Sequence, residues 1–184
     1  MNSACRLLAA LAPLVLVATG CSGTGHPNLP PRPLIIRLDG ITNVCGLLTA
    51  QQREQLDVDA GSDDRGAYQG AANNGPNCAW TGLSGRPTSD YSGALVLDHG
   101  AAAAQGIEPS RQVGGFAAVL TAAPGFNPDY HCGLMVDVAP DQTLMAEYGN
   151  STRDFPGMNR QLACDKAQQL AEMLLTNLRT RLGR

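Results

Sequence analysis

Four cysteines, Cys45, Cys78, Cys132 and Cys164, constrain this 184-residue chain more than any other feature. They lie too far apart for a Cys-x-x-Cys redox or zinc pattern. In a chain that leaves the cytosol, an even number of cysteines at such spacing reads as two disulfides. Each bridge would close a loop of tens of residues and stabilise the fold by roughly 2–4 kcal/mol. Four cysteines allow three connectivities. The pairing Cys45–Cys78 with Cys132–Cys164 is favoured, because each bridge then ties a helix to a nearby strand.

The premise of export comes from residues 1–20. They carry a single basic residue (Arg6), an apolar stretch over 7–18 interrupted by Pro13, and then Thr19-Gly20. The stretch falls short of the roughly 20 apolar residues that a helix needs to span a bilayer. The segment Val17-Ala18-Thr19-Gly20-Cys21 resembles a bacterial lipobox. That resemblance implies cleavage before Cys21, lipidation of its thiol and acylation of its new amino group. One acyl chain anchors only marginally, at about 0.8 kcal/mol per buried methylene, whereas two or three anchor stably. The expected address is therefore the extracytoplasmic face of a cell membrane, reached through a lipid anchor. Cys5 falls within the discarded leader.

Residues 1–20 thus read as a lipoprotein signal peptide, 21–33 as a flexible tether and 34–184 as a single domain. The tether is rich in Gly, Pro, Ser and Thr and ends Pro30-Pro31-Arg32-Pro33, a polyproline-stiffened run. Cleavage leaves 164 residues, enough to bury a core. Loss of Arg6 takes the formal charge from −3 to −4. Lys166 is the only lysine and no basic block exists, which excludes nucleic acid as a partner. Aromatics, at 4 %, are too few for a carbohydrate-stacking surface, but a lipid pocket of aliphatic side chains stays open.

Thr49 and Gln52 form a capping box for a short helix whose apolar face ends at Leu56, with Gly61 and the polar run 62–65 beyond it. Residues 66–76 read as a loop. Strands are expected at 78–81, 93–97, 113–121, 132–138 and 143–148. Within the third, Gly114-Gly115 suggests a bulge or a close backbone approach. Cys132, Leu134, Val136 and Val138 share one face, and the last two strands form a hairpin around Pro140-Asp141. Residues 99–105 favour a short helix. From 159 to 182, Ala163, Ala167, Leu170, Ala171, Leu174, Leu178 and Leu182 make the stripe of an amphipathic helix. Gly183 ends it, and Arg179 and Arg181 suit its negative end. The expected class is α+β: an antiparallel sheet of about five strands, with a short N-terminal and a long C-terminal helix on one face.

Chemistry-bearing residues are few. His26 lies in the tether, and Asp98-His99 reads as a polar turn pair at a strand end. No Gly-x-Ser-x-Gly elbow is present. His131 precedes Cys132, whose thiol is committed to a bridge. No His-x-x-x-His or acid cluster has ligand spacing, and Asp57, Asp59, Asp63 and Asp64 read as a solvated acidic loop rather than a calcium loop. No metal or cofactor is expected. Trp80 reads as packing on the adjacent disulfide and the terminal helix, with a ligand-facing role as the alternative.

The order Cys45-Gly46-Leu47-Leu48-Thr49, Asn77-Cys78-Ala79-Trp80, Cys132-x-Leu134-x-Val136 and Cys164 opening a final Ala/Leu helix resembles the actinobacterial lipoproteins grouped as domain of unknown function 3558. The resemblance runs from Cys45 to Leu178. Val113-Gly114-Gly115-Phe116-Ala117 resembles that family's Gly-x-x-Ala strand. It implies an exported, membrane-anchored, disulfide-stapled α+β domain and brings no catalytic residues.

Three functions are weighed. The first is a non-enzymatic envelope lipoprotein that binds a protein or small-molecule partner. The second is a carrier of a lipid or other apolar ligand between sheet and C-terminal helix, with Trp80, Val136, Leu144, Leu170 and Leu174 facing the ligand. The last is a hydrolase built on Asp98 and His99.

Overall fold

Alternating apolar positions build a sheet, and the stripe along the last helix lies on it. A computed structural model of the chain describes residues 29–63, 75–83, 89–103, 109–121, 127–150 and 157–183. In chain order it holds a 3-10 turn (Cys45–Leu47), α1 (Ala50–Leu56), β1 (Asn77–Thr81) and β2 (Ser89–Val96). A second 3-10 turn (Ala101–Ala103), β3 (Pro109–Val113), β4 (Phe116–Thr121), β5 (His131–Ala139), β6 (Gln142–Asn150) and α2 (Arg160–Arg181) follow. The strands form one six-stranded antiparallel sheet in the order β1-β2-β6-β5-β4-β3.

The α+β class is as expected, but the sheet has six strands rather than about five. The extra strand arises at Gly114-Gly115. Both residues take positive φ (55° and 88°), and Val113 pairs with Phe116 across them. Two consecutive left-handed residues make the tight turn that matches strand twist, so the expected single strand over 113–121 is a hairpin. β2 also starts earlier than the expected Gly93. Its turn-forming Ser and Asp residues are overridden by pairing with β1 on one side and β6 on the other. The 3-10 turn at Ala101–Ala103 takes the place of the helix expected there, whose residues 104–105 lie outside the described chain.

α1 carries the expected capping box. Thr49 Oγ1 accepts from the Gln52 N–H at 3.2 Å, and Gln52 Oε1 accepts from the Thr49 N–H at 2.9 Å. Beyond it, residues 58–62 run along the outer side of β1, with two Ser62–Ala79 backbone bonds of 2.8 and 2.9 Å. One edge of the sheet is thereby covered. Asn159 caps α2, its Oδ1 accepting from the Leu162 N–H at 2.9 Å. The buried stripe of α2 contains Ala163, Ala167, Leu170, Ala171, Leu174 and Leu178 as expected, and adds Cys164 and Leu175.

Both disulfides have the favoured pairing. Cys45–Cys78 joins the turn before α1 to β1, and Cys132–Cys164 joins β5 to α2, with Cα separations of 5.1 and 4.9 Å. Cys78, Cys132 and Cys164 are buried, whereas Cys45 is half-buried. Mild dithiothreitol under native conditions should therefore reduce Cys45–Cys78 first, as a mass gain mapped to that pair by alkylation and peptide analysis. Equal rates at the two bridges would contradict this order.

At Gly93 the helix comes close to the sheet. A Cβ added there would lie 2.8 Å from Leu174 Cδ1 and 3.3 Å from Trp80 Cζ3. Gly93→Ala should destabilise the domain by about 1–3 kcal/mol through overpacking, read from the urea midpoint.

Candidate functional site

Strands alternate their side chains between faces, so the register fixes what lies opposite α2. The face toward α2 carries Trp80, Tyr91, Leu95, Leu134, Leu144 and Tyr148, all buried in one core with the helix stripe. An antiparallel sheet often leaves its other face to water. Here β5 and most of β6 are buried on both faces.

The second face is organised in rows. Ser92, Glu147, Gly133 and Thr121 stand in register across β2, β6, β5 and β4. The adjacent row is Ala94, Met145, Met135 and Val119, an apolar set against which Ala101 and Leu29 pack. On the other side of the polar row, His131 pairs with Gly149, itself opposite Asp90.

Two glycines make room for the polar groups. A Cβ at Gly133 would lie 3.1 Å from Glu147 Oε1 and would collide with Thr121 Oγ1, so both oxygens overhang that residue. A Cβ at Gly149 would lie 3.3 Å from His131 Cδ2, so the imidazole leans over that backbone. Ser92 Oγ donates to Glu147 Oε2 at 3.3 Å, and His131 Nε2 stands 4.0 Å from the same oxygen. Ser92, Glu147 and His131 are 2, 4 and 5 % exposed. Burial lowers the His131 pKa and raises that of Asp90.

The carboxylate lies between the serine and the histidine. In a nucleophilic relay the imidazole holds the middle place and takes the hydroxyl proton. Here the hydroxyl proton goes to Glu147, and the cluster is an array of hydrogen-bonding groups set beside flexible methionines. Such an array can orient a polar group at the border of an apolar surface.

The residues singled out from sequence fall elsewhere. Trp80, Val136, Leu144, Leu170 and Leu174 are all fully buried in the core between sheet and α2. Trp80 lies against Gly61, which also adjoins Cys78 Sγ, and against Gly93, which adjoins Leu174, the packing role first read for it. Asp98 Oδ1 and His99 Nδ1 are 2.7 Å apart and partly exposed, and Thr143 Oγ1 donates to the His99 backbone carbonyl. Asp59 Oδ1 accepts from the Gly61 and Thr81 N–H groups at 2.9 and 3.0 Å, so it fastens a turn. Among the described residues no three His, Cys, Asp or Glu side chains gather as metal ligands. Cys21, His26 and Asp64 lie outside the described residues. Among those described, no helix is long and apolar enough to cross a membrane.

Ser92, Thr121, Gly133 and Glu147 were not singled out from sequence. The available signal was the off-phase set of the last hairpin: Gly133, Met135, Met145 and Glu147 alternate with the core residues.

The fold and this cluster define a disulfide-stapled α+β domain with a polar row buried on the sheet face away from its long helix. The profile of a protein family of unknown function, domain of unknown function 3558, matches residues 16–177, and the chain belongs to that family. Searches of curated proteins and of solved structures found no significant match.

His131 gives the cluster a pH signature. Its folded pKa lies below the unfolded value, near 6.5, so the unfolded chain takes up this proton first as pH falls. The stability held by the neutral imidazole is present above pH ~6.5 and declines as pH drops toward its folded pKa. Asp90, with its raised pKa, acts in the opposite direction at lower pH. Between pH 8 and 5, the wild-type urea midpoint should fall more than that of His131→Gln. Parallel profiles would contradict the burial effect.

Proposed function

We propose that this chain is an exported cell-envelope lipoprotein, lipidated at Cys21, that binds a small-molecule or protein partner without catalysing a reaction. One observation carries the binding reading: Ser92, Glu147 and His131 are buried together on a sheet face that packing alone would fill with apolar side chains. Burying a carboxylate and an imidazole costs free energy, and binding sites are places where that cost is met by function.

Export is supported by the two disulfides, which persist in oxidising compartments. The anchor reading rests on Cys21 behind the apolar stretch 7–18. Leu29 packs on the second face, so only seven residues separate it from Cys21 and the partner site would work close to the bilayer. The carrier reading also shifts to this face, because Leu174 lies so close over Gly93 that the layer between sheet and α2 is filled.

Replacing Cys21 by Ser should move the protein from the membrane fraction to the soluble extracytoplasmic fraction, read by fractionation and immunoblotting. A variant that stays with the membrane would overturn the anchor.

A further inference from the structure

We infer that residues 29–33 form a strap that covers the apolar row of the second face and can lift from it, regulating access to that face. The inference rests on the binding reading above and adds what controls the site.

The chain changes its mode of docking at Pro33. From Leu34 to Leu38 it follows the period of a strand: Leu34 packs on the main core, Ile36 and Leu38 are buried in it, and Ile35 and Arg37 are exposed. The Ile36 N–H donates to the Val138 carbonyl at 2.9 Å and the Leu38 N–H to Gln142 Oε1 at 2.7 Å, so this stretch is part of the domain. Before it, three of the five residues Leu29-Pro30-Pro31-Arg32-Pro33 are proline. Such a run favours the polyproline II helix, in which residues three apart share a face. Leu29 and Arg32 are accordingly half-buried, while Pro30, Pro31 and Pro33 are exposed. Proline has no N–H to give to a ladder, so the run lies on the sheet without extending it. Pro33 stands beside the β3–β4 turn, its Cγ 3.7 Å from where a Cβ on Gly115 would lie, and marks the hinge.

Two side chains hold the strap. Leu29 packs on the cluster of Ala94, Ala101, Val119, Met135 and Met145. Arg32 Nη2 donates to Asp137 Oδ1 at 2.8 Å, and Asp137, two positions beyond Met135 on β5, is 2 % exposed. A carboxylate at that depth is costly without a cation, which draws the strap back after each opening. The contact is nonetheless one-armed, because the buried Arg32 Nε has no hydrogen-bond partner. A single N–H holds less firmly than a bidentate fork, and a stiff proline run moves as a unit. Lifting it removes Leu29 from Met135 and Met145, which are 5 and 4 % exposed beneath it, and leaves Ala101 in place. A partner of this face therefore competes with the chain's own Leu29.

Oxidation of methionine to its sulfoxide by hydrogen peroxide reads this cover residue by residue, through peptide mass spectrometry. The Cys21→Ser chain, otherwise full length, is compared with the same chain carrying Arg32→Ala. Met135 and Met145 should oxidise at least threefold faster in the variant, while Met158 and Met173, which pack on the main core, keep their rates. Unchanged rates at Met135 and Met145 would overturn the strap. An equal rise at all four methionines would also overturn it, since that marks loosening of the whole domain. Should Arg32→Ala not fold, Leu29→Gln serves in its place, with the same pattern expected and the same two results overturning the strap. The rates are measured without a partner, so failure here leaves the binding reading to envelope crosslinking and the anchor reading to fractionation.

Discussion

The close seating of α2 on the sheet is the contact on which the domain depends. Leu174 rests over the bare backbone of Gly93 while Trp80 closes the same spot from the side. The Cys132–Cys164 bridge fixes one end of that contact covalently, and Arg111 fixes an edge strand to the helix through Asp165 and Gln168 at 2.8 and 2.9 Å. Asn177 then reaches from α2 to the Leu47 carbonyl at 2.6 Å, drawing the N-terminal helical turns into the same layer. Fully burying each Leu of the stripe contributes about 1.5–3 kcal/mol, so the helix supplies much of the apolar burial that opposes chain entropy.

With one face sealed in this way, the other is released from carrying the main core. It is lined by small and flexible residues, Ala94, Gly133, Met135, Met145 and Gly149, and it tolerates polar side chains that the first face could not hold. The contrast is chemical. Aromatic rings and branched aliphatics specify a single packing, whereas glycine and methionine leave shape to be decided by what lies against them.

Elements with a local signature were legible from sequence. The Thr49–Gln52 box, the alternation over 132–138 and the stripe from Ala163 to Leu178 each follow from neighbours a few residues apart. Among three possible connectivities the observed cysteine pairing was the one favoured from sequence, on the expectation that each bridge ties a helix to a strand; Cys45 in fact lies in the turn just before α1. Gly114-Gly115 was misread, since one glycine pair fits both a bulge and a two-residue turn, and only the pairing of Val113 with Phe116 decides. The candidate site was not legible. Ser92, Thr121, Gly133 and Glu147 come from four strands and meet only through register, and that register depends on β2 entering the sheet beside β6. His131 was set aside for its neighbour Cys132, although adjacent residues on a strand point to opposite faces.

The manner in which the N-terminal segment meets the domain has a mechanical consequence. Arg32 pairs with buried Asp137 at 2.8 Å, the Ile36 N–H reaches the Val138 carbonyl at 2.9 Å, and the Leu38 N–H is held by Gln142 Oε1 at 2.7 Å. Tension on the N-terminus loads these contacts one after another, beginning with the ion pair and ending at the β5–β6 turn. Residues 29–35 peel away first and, fully extended, span at most roughly 23–25 Å at about 3.3–3.6 Å per residue. Asp137, Val138 and Gln142 all belong to the β5–β6 hairpin, so that hairpin takes the load while both bridges and α2 stay out of it until the reserve is spent, and the segment acts as a shock absorber for the rest of the domain.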